Sequence, residues 1–193
     1  MTTKTSRPGV LQIVAIGLVL LLVVVSLRAE GRVFFCTCGH FAVWTSDTCS
    51  SVTSQQLLDP YSFTHVLHGF LFFWLIALLF RRLTATWQVL VALLLEGAWE
   101  IFENTPFVID KYRTETAALG YTGDTIVNSF GDLMCALAGF LIARKLGLRR
   151  SLIVFVLVEI CLIVWIRDSL LLQILMLIRP VEAIKLWQMC VQP

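Results

Sequence analysis

Three acidic side chains lie in one apolar stretch of the chain, TWQVLVALLLEGAWEIFEN. Glu96, Glu100 and Glu103 are spaced i, i+4 and i+7, so a helix carries them on one face. A charged side chain near the bilayer centre costs about 2.5–3.5 kcal/mol on insertion scales, and such residues usually face the protein interior and take part in function. The spacing therefore predicts a site for acid–base chemistry or cation binding within a membrane.

Two other apolar stretches carry polar groups that complement these acids. His65 and His68 lie one helical turn apart in SFTHVLHGFLFFWLIALLF, and Asp124, Asn128 and Asp132 recur in GDTIVNSFGDLMCALAGFLIA. Polar packing between helices is the alternative explanation, but each additional intramembrane acid adds an insertion cost that packing seldom requires. We therefore predict one catalytic site formed by these side chains and the three glutamates.

The two histidines also suggest a metal site. His65, His68 and Glu100 would supply two imidazole nitrogens and a carboxylate, a set that zinc and other divalent ions accept. The spacing is not that of the diagnostic HExxH motif. A metal-free network of histidine, glutamate and aspartate with water fits the same residues, so the cofactor stays open at this stage.

Composition indicates the class of protein that would hold such a site. Hydrophobic residues make up 58% of the 193 residues and charged residues only 15%, and the mean hydropathy is +0.84. These values are typical of an integral membrane protein whose partner is the lipid bilayer. The net charge of +2 gives no indication of nucleic-acid binding. The sequence leaves the oligomeric state open.

The apolar stretches predict an all-α, polytopic membrane bundle that forms a single domain over residues 1–193. Spans are expected at about 10–27, 62–80, 84–103, 125–146 and 151–166, each near the length that a bilayer demands. The first span follows basic residues as in a signal peptide, but it is long and lacks a small-residue cleavage site, so we expect an uncleaved anchor. External segments are the loops 28–61 and 104–124 and an amphipathic tail, 168–193. Within the tail, residues 169–178 are too short to span and are either re-entrant or interfacial, and an interfacial helix follows Pro180.

Basic residues orient this bundle. Three short segments without acids hold eight of them, namely Lys4 and Arg7, Arg81 and Arg82, and Arg144, Lys145, Arg149 and Arg150. The positive-inside rule places these segments in the cytoplasm. The N-terminus is then cytoplasmic and the C-terminus periplasmic in a bacterial inner membrane, and the predicted site opens outward.

Helical rise assigns the polar residues to layers. At about 1.5 Å per residue, Glu96 lies about 10 Å below Glu103. The upper layer is expected to contain His68, Glu100 and Asp124, and the deeper layer Glu96, Asp132 and Glu159.

Residues around these layers are expected to support the site. Glu159 either joins the deeper layer or serves only in helix packing. Arg113 could meet an anionic head group or balance the acids, and a solvated loop explains it equally well. The remaining supporting residues are Tyr121, Arg167 and Asp168.

Four of the six cysteines fall in the predicted external segments, where an oxidising compartment favours disulfides. One residue separates Cys36 from Cys38, so we expect these two to pair with Cys49 or Cys190 rather than with each other. A metal-binding or redox pair is the alternative.

Several motifs resemble a known bacterial membrane-protein family. CTCG, SQQLLDPYSFTHVLHGFLF, EGAWEIFENTPFVIDKYR, YTGDTIVNSFGD and RDSLLLQILMLIRPVEAIKLWQ occur, in order, as in the UPF family catalogued as domain of unknown function 2585. The chain departs from that pattern at Gln56, where the family usually has histidine, and at Ser169 and Gln173, where it usually has asparagine. A looser likeness is to VanZ-like membrane proteins, which also carry histidine, glutamate and aspartate on successive helices. The resemblance implies the fold and the membrane location and supplies no activity.

Three classes of function fit these residues. The first is a membrane enzyme acting on a lipid-linked or envelope substrate, with His65 or His68 as acid–base partner and a carboxylate as base or metal ligand. The second is a small transporter or a proton or cation channel that uses Glu96, Asp132 and Glu159 as a relay. The third is a structural or assembly factor of the cell envelope. The acids lie in the outer half of the spans, which favours the enzyme over the relay.

Overall fold

The chain forms an all-helical bundle. The structure, a computed structural model, describes residues 9–50, 52–118 and 120–189. Within these ranges the helices are α1 (Val10–Ala29), α2 (Ser62–Leu79), α3 (Ala85–Glu103), α4 (Pro106–Glu115), α5 (Ile126–Leu146), α6 (Leu148–Ile166), α7 (Leu170–Ile178) and α8 (Glu182–Gln188). Helices α1, α2, α3 and α5 are long and apolar enough to cross a membrane. The prediction of an all-α membrane bundle is confirmed.

The fifth predicted span corresponds to α6. This helix has 19 residues, which is long enough to span, and it holds three charged residues, Arg149, Arg150 and Glu159. It is not among the helices that length and composition identify as membrane spans. It packs on α2 through the Trp74 indole, which donates a hydrogen bond to Ser151 Oγ at 2.9 Å. A membrane span at 151–166 therefore stays a prediction.

Helices α2 and α5 approach until their backbones touch. A Cβ atom on Gly69 of α2 would lie 2.1 Å from the Ala136 carbonyl oxygen, and one on Gly139 of α5 would lie 2.0 Å from the Val66 carbonyl oxygen. Neither position accommodates a side chain, so these two glycines set the spacing of the pair. The contact places the histidines of α2 beside Asp132 of α5.

Helix α3 runs antiparallel to α2, since only residues 80–84 connect them. On another side it packs against α1, where Val19 contacts Leu90 and Leu93 of α3. Most other apolar side chains of α1 are exposed, which suits contact with lipid. The bundle thus holds α3 between an outer anchor helix and the α2–α5 pair.

The segment predicted as an external loop, 104–124, contains a helix. Helix α4 begins after Thr105, whose side chain accepts a hydrogen bond from the Val108 amide, and Pro106 occupies its first turn. These are ordinary start signals that the loop prediction missed. Helix α4 contacts α7, so the two short helices lie together at the end of the bundle where α3 ends.

The predicted pairing of the cysteines was wrong. Cys36 and Cys38 form a disulfide with each other. A turn at residues 37–38 brings their Cα atoms to 5.1 Å, within the range of about 4.4–6.8 Å that bridged cysteines usually have. Cys49 is also disulfide-bonded, and Cys190 lies outside the described residues.

Candidate functional site

His65 is the centre of a buried cluster of carboxylates. Its Nδ1 atom lies 2.5 Å from Glu96 Oε1 and 3.3 Å from Glu100 Oε1, and its Nε2 atom lies 3.8 Å from Asp132 Oδ2. The two glutamates come from α3 and the aspartate from α5, and all three are buried. One imidazole of α2 therefore faces three acids from two other helices.

His68 shares Glu96 with His65. Its Nδ1 atom lies 3.0 Å from Glu96 Oε2, so each histidine contacts a different oxygen of this carboxylate most closely. The expectation that His68 lies in one layer with Glu100 was wrong. Because α2 and α3 run in opposite directions, the histidine farther along α2 meets the glutamate that comes earlier in α3.

The carboxylates of this cluster differ in how many of their oxygens have hydrogen-bond partners. Glu96 contacts both histidines at hydrogen-bond distance. Among the described residues, neither oxygen of Glu100 has a hydrogen-bond partner, and Asp132 Oδ1 also lacks one. An unsatisfied buried polar group costs about 1–3 kcal/mol, so these three oxygens are available to a ligand or a cation.

Two sets of side chains in the cluster have the geometry of metal ligands. In the described part of the chain they are His65, His68 and Glu96, and His65, Glu100 and Asp132, with ligand atoms within 4.8 Å of one another in each set. The set predicted from the sequence, which combined both histidines with Glu100, is thus divided between them. The cause is the same antiparallel pairing of α2 with α3.

A second polar group follows the C-terminal end of α3. Asp124 Oδ2 accepts a hydrogen bond from Asn104 Nδ2 at 2.8 Å, and Asp124 Oδ1 accepts one from the Tyr121 hydroxyl at 2.9 Å. Asn104 Nδ2 also donates to the Glu100 carbonyl oxygen at 3.0 Å, which links this group to the histidine cluster. Burial raises the pKa of Asp124, and the hydrogen bonds from Asn104 and Tyr121 oppose that rise.

Two tyrosines stand beside these acids. Burial, followed by the neighbouring Glu103 carboxylate, raises the pKa of Tyr112, which is a hydrogen-bond partner of Glu103. Burial and then Asp124 raise the pKa of Tyr121. Both hydroxyls therefore remain protonated donors at neutral pH.

Both polar groups line one cavity of about 590 Å³, which we call the polar cavity. This volume lies in the range of small-molecule sites. The cavity wall includes His65, His68, Asp124 and Asp132, whereas Glu96 and Glu100 lie behind the histidines. The described residues that line it include aspartates and Glu103 but no lysine or arginine.

Comparison with known proteins identifies the family. A family profile described as "Protein of unknown function (DUF2585)" matches residues 27–190. The chain belongs to this family. The matched region of this DUF2585 member includes α2 to α5 and therefore all of the polar cavity's histidines and acids from those helices.

Several relatives of this DUF2585 member carry the name UPF0314 protein. The one from Agrobacterium fabrum is 43% identical over 175 residues, which is 91% of this chain and 88% of the relative. The one from Novosphingobium aromaticivorans is 40% identical over 187 residues, 94% of this chain and 93% of the relative. One from Rhizobium etli is 44% identical over 158 residues, 82% and 81% respectively. No solved structure matches the chain, and the likeness to VanZ-like proteins stays an expectation.

Two of the residues predicted for the site have other contacts in this DUF2585 member. Asn128 Nδ2 donates a hydrogen bond to the Gln56 carbonyl oxygen at 2.9 Å, which ties the segment between α1 and α2 to α5. Glu159 accepts hydrogen bonds from the Leu170 and Leu171 amides at 3.0 and 3.3 Å. Glu159 therefore caps α7, a contact that fits the predicted alternative of a packing role, and its membership of a deeper acidic layer stays a prediction.

The supporting residues are also dispersed. Arg113 is exposed on α4, and Arg167 is exposed and donates to the Trp187 carbonyl oxygen at 3.3 Å. Asp168 does line the polar cavity, and its Oδ1 accepts a hydrogen bond from Gln188 Nε2 at 2.9 Å. Burial raises the pKa of Asp168 to about 6, and hydrogen bonds oppose that rise.

Sequence reasoning missed several side chains of the cavity. The Trp99 ring lies 5.4 Å from that of His68, and its spacing of i+3 from Glu96 could have placed it on the same face. Asn104 follows α3 directly and could have been expected near Glu100, one turn earlier. Tyr112 could not have been placed without recognising α4.

Proposed function

We propose that this protein is a membrane enzyme that performs acid–base chemistry on a lipid-linked or envelope substrate bound in the polar cavity. The observation that carries the proposal is the Glu96 carboxylate, which contacts His65 and His68 at the wall of that cavity. A carboxylate that accepts a ring N–H fixes the orientation and tautomer of an imidazole, as a general base requires.

His68 is the proposed general base. Its Nδ1–H donates to Glu96, which leaves Nε2 to take a proton from a water molecule or a substrate hydroxyl. The rings of Trp99 and Phe72 lie 5.4 and 5.9 Å from that of His68, so aromatic groups restrict its rotation. Once protonated, the imidazole is stabilised by the Glu96 carboxylate.

The rest of the cavity supplies groups that would hold a hydroxyl-bearing head group. Asp124, Asp168 and Gln173 offer acceptors and donors, and Tyr61 contributes an aromatic face. An amphiphile whose tail remains in the bilayer could reach such a cavity, because the helices around it are membrane spans. This position supports a lipid-linked substrate.

Two observations favour an enzyme over the other classes. Every acid within the described α2, α3, α5 and α6 lies in the half of its helix nearest the cavity, so a relay to the opposite face would lack carriers. A purely structural network would be expected to satisfy its buried atoms, yet the oxygens of Glu100 have no hydrogen-bond partner among the described residues.

The proposed orientation places the cavity at the outer leaflet of a bacterial inner membrane. It rests on the basic residues that precede α1 in the sequence, those between α2 and α3, and those on either side of the α5–α6 junction. Reporter fusions after Arg82 and Leu148 are expected to be cytoplasmic, and fusions after Arg113 and Pro193 external. An external signal after Arg82 would place the cavity at the other leaflet.

The test uses a strain that lacks the gene and carries plasmid-borne variants. Lipid profiling of the deletion strain is expected to reveal an accumulating envelope lipid, which wild-type protein removes. The double variant Glu100→Gln, Asp124→Asn should leave the accumulation uncorrected at normal protein abundance, whereas Glu182→Gln, on the exposed face of α8, should correct it. A normal lipid profile with the double variant would contradict the proposal.

A further inference from the structure

We infer that His65, Glu100 and Asp132 form a binding site for one divalent metal ion of the zinc class, an inference that rests on the proposed function of the polar cavity. Their ligand atoms lie within 4.8 Å of one another, and all three residues are buried. One imidazole nitrogen with two carboxylate oxygens is a donor set that zinc accepts.

The unsatisfied oxygens are an independent observation in favour of an ion. Glu100 is 0% exposed and Asp132 is 4% exposed, yet three of their four carboxylate oxygens have no hydrogen-bond partner among the described residues. Buried carboxylates are normally paired or coordinate a metal because desolvation of an isolated charge is costly. A divalent cation would satisfy both side chains at once.

The orientation of His65 fits the same ion. Nδ1 lies 2.5 Å from Glu96 Oε1, and in the Nδ1–H tautomer it donates to that carboxylate, which leaves the Nε2 lone pair available 3.8 Å from Asp132 Oδ2. Metal-bound histidines almost always donate their other ring N–H to a carboxylate, a carbonyl or water. Two ligands of a tetrahedral zinc ion lie about 3.4 Å apart, so these two atoms need to move by only a few tenths of an ångström.

The alternative set around Glu96 is the weaker candidate. Glu96 is already in contact with His65 at one oxygen and with His68 at the other. An ion bound there would have to displace these hydrogen bonds, whereas Glu100 and Asp132 have none to lose at the unsatisfied oxygens. We therefore assign His65 to the metal and leave His68 as the acid–base residue.

The position of the site at the cavity wall explains what the ion would contribute. His65 and Asp132 line the cavity, so a substrate oxygen or a water molecule can reach the ion beside three protein ligands, as in catalytic zinc sites. The described lining holds no lysine or arginine. When bound, the ion would supply a positive charge at the cavity wall, and it would lower the pKa of a bound water molecule.

The experiment measures metal content in the full-length chain, purified in detergent, loaded with zinc and desalted. Mass spectrometry of the metal is expected to give about one zinc ion per wild-type chain, and less than about 0.1 in Glu100→Gln and Asp132→Asn, because each removes an anionic ligand. Glu159→Gln is the matched control, a buried acid away from the cluster, and should retain about one ion. His68→Asn should retain the ion and lose function.

Two outcomes overturn the metal assignment. The first is wild-type protein with less than about 0.1 zinc per chain after loading, together with no rise in Tm when zinc is added to chelator-treated protein, since a ligand of the folded state must stabilise it. The second is an Asp132→Asn variant that keeps its ion while His68→Asn loses it, which would move the ion to the Glu96 set. The wild-type Tm measurement does not depend on whether any variant folds.

The metal content and the lipid profile, taken together, separate the metal assignment from the proposed function. If wild-type protein binds no zinc but His68→Asn fails to correct the lipid profile, the acid–base function stands and the metal assignment fails. If zinc binds but the double variant Glu100→Gln, Asp124→Asn corrects the profile, the metal site stands and the proposed function fails.

Discussion

Glu100 and Glu159 are both buried acids of apolar helices, but the fold treats them in opposite ways. Both oxygens of Glu159 accept backbone amides at the start of α7, where the helix dipole also favours a negative charge. The carboxylate oxygens of Glu100 have no hydrogen-bond partner among the described residues, and Oε1 lies 3.3 Å from His65 Nδ1. Burial of an acid in an apolar helix therefore does not by itself identify a site. What distinguishes Glu100 from Glu159 is that its carboxylate oxygens have no hydrogen-bond partner among the described residues.

The largest predicted effect is the loss of stability when His65, the centre of the buried cluster of carboxylates, is replaced. We expect His65→Leu to lower the free energy of unfolding by about 3–5 kcal/mol, because it leaves three buried carboxylates without their common partner. Chemical denaturation in detergent micelles measures the change. His40→Leu, at an exposed position between α1 and α2, is the control and should fall within about 0.5 kcal/mol of wild type. Equal stability of both variants would show that the acids do not depend on His65.

The next largest effect is expected from a change at the contact between α2 and α5, the helices that bring His65 and Asp132 together. Gly69→Ala should destabilise the protein by about 1–3 kcal/mol or more, because the new Cβ meets the Ala136 backbone at 2.1 Å. Gly17→Ala is the matched control, since nothing lies within 4 Å of its Cβ position in α1, and it should stabilise the helix by up to about 1 kcal/mol. Thermal unfolding of the two variants is the measurement. A harmless Gly69→Ala would contradict the close contact of α2 with α5.

A smaller loss of stability is expected at Glu159, the buried acid whose two carboxylate oxygens both accept hydrogen bonds. Glu159→Gln keeps one carbonyl oxygen for the α7 amides and leaves the other amide without its acceptor, so it should cost about 1–2 kcal/mol of stability. Its lipid profile should match that of the wild type. Loss of function at unchanged stability would place Glu159 in the site and remove the contrast with Glu100.

The smallest effect concerns pH. Burial raises the pKa of Asp168 to about 6 from its ordinary value of 3.8, so the folded state binds this proton more tightly than the unfolded state. The resulting stabilisation is fully present below about pH 3.8 and is lost as the pH rises through about 6. The Tm of the wild type should therefore fall relative to that of Asp168→Asn between about pH 4 and pH 7. Parallel pH profiles for the two proteins would contradict a raised pKa.

Hydropathy and residue type predicted much of this molecule. The spans that became α1, α2, α3 and α5 were predicted from apolar length alone, because the bilayer fixes the length of a spanning helix. A shared site for the histidines of α2 and the acids of α3 and α5 was predicted because polar groups inside a membrane must meet one another. Both predictions depend on the properties of the lipid bilayer more than on how the side chains pack.

The features that the sequence did not predict depend on local or long-range geometry. Pairing of His68 with Glu96 follows from the opposite directions of α2 and α3, and the depth estimate assigned His68 to the wrong layer. The cap that Glu159 forms on α7 needed knowledge of where that short helix begins. The Cys36–Cys38 bridge arises from a local turn that the spacing of the two cysteines did not reveal.

The most direct test of the central claim compares Glu100→Gln with Glu159→Gln in the deletion strain at matched protein abundance. Both changes replace a buried glutamate by the amide of nearly the same size, so they compare the same chemical change at two positions. We expect Glu159→Gln to restore the wild-type envelope-lipid profile and Glu100→Gln to leave the deletion profile unchanged. Restoration by Glu100→Gln, or failure of both variants alike, would contradict the claim that the unsatisfied acids of α3 and α5 form the functional site.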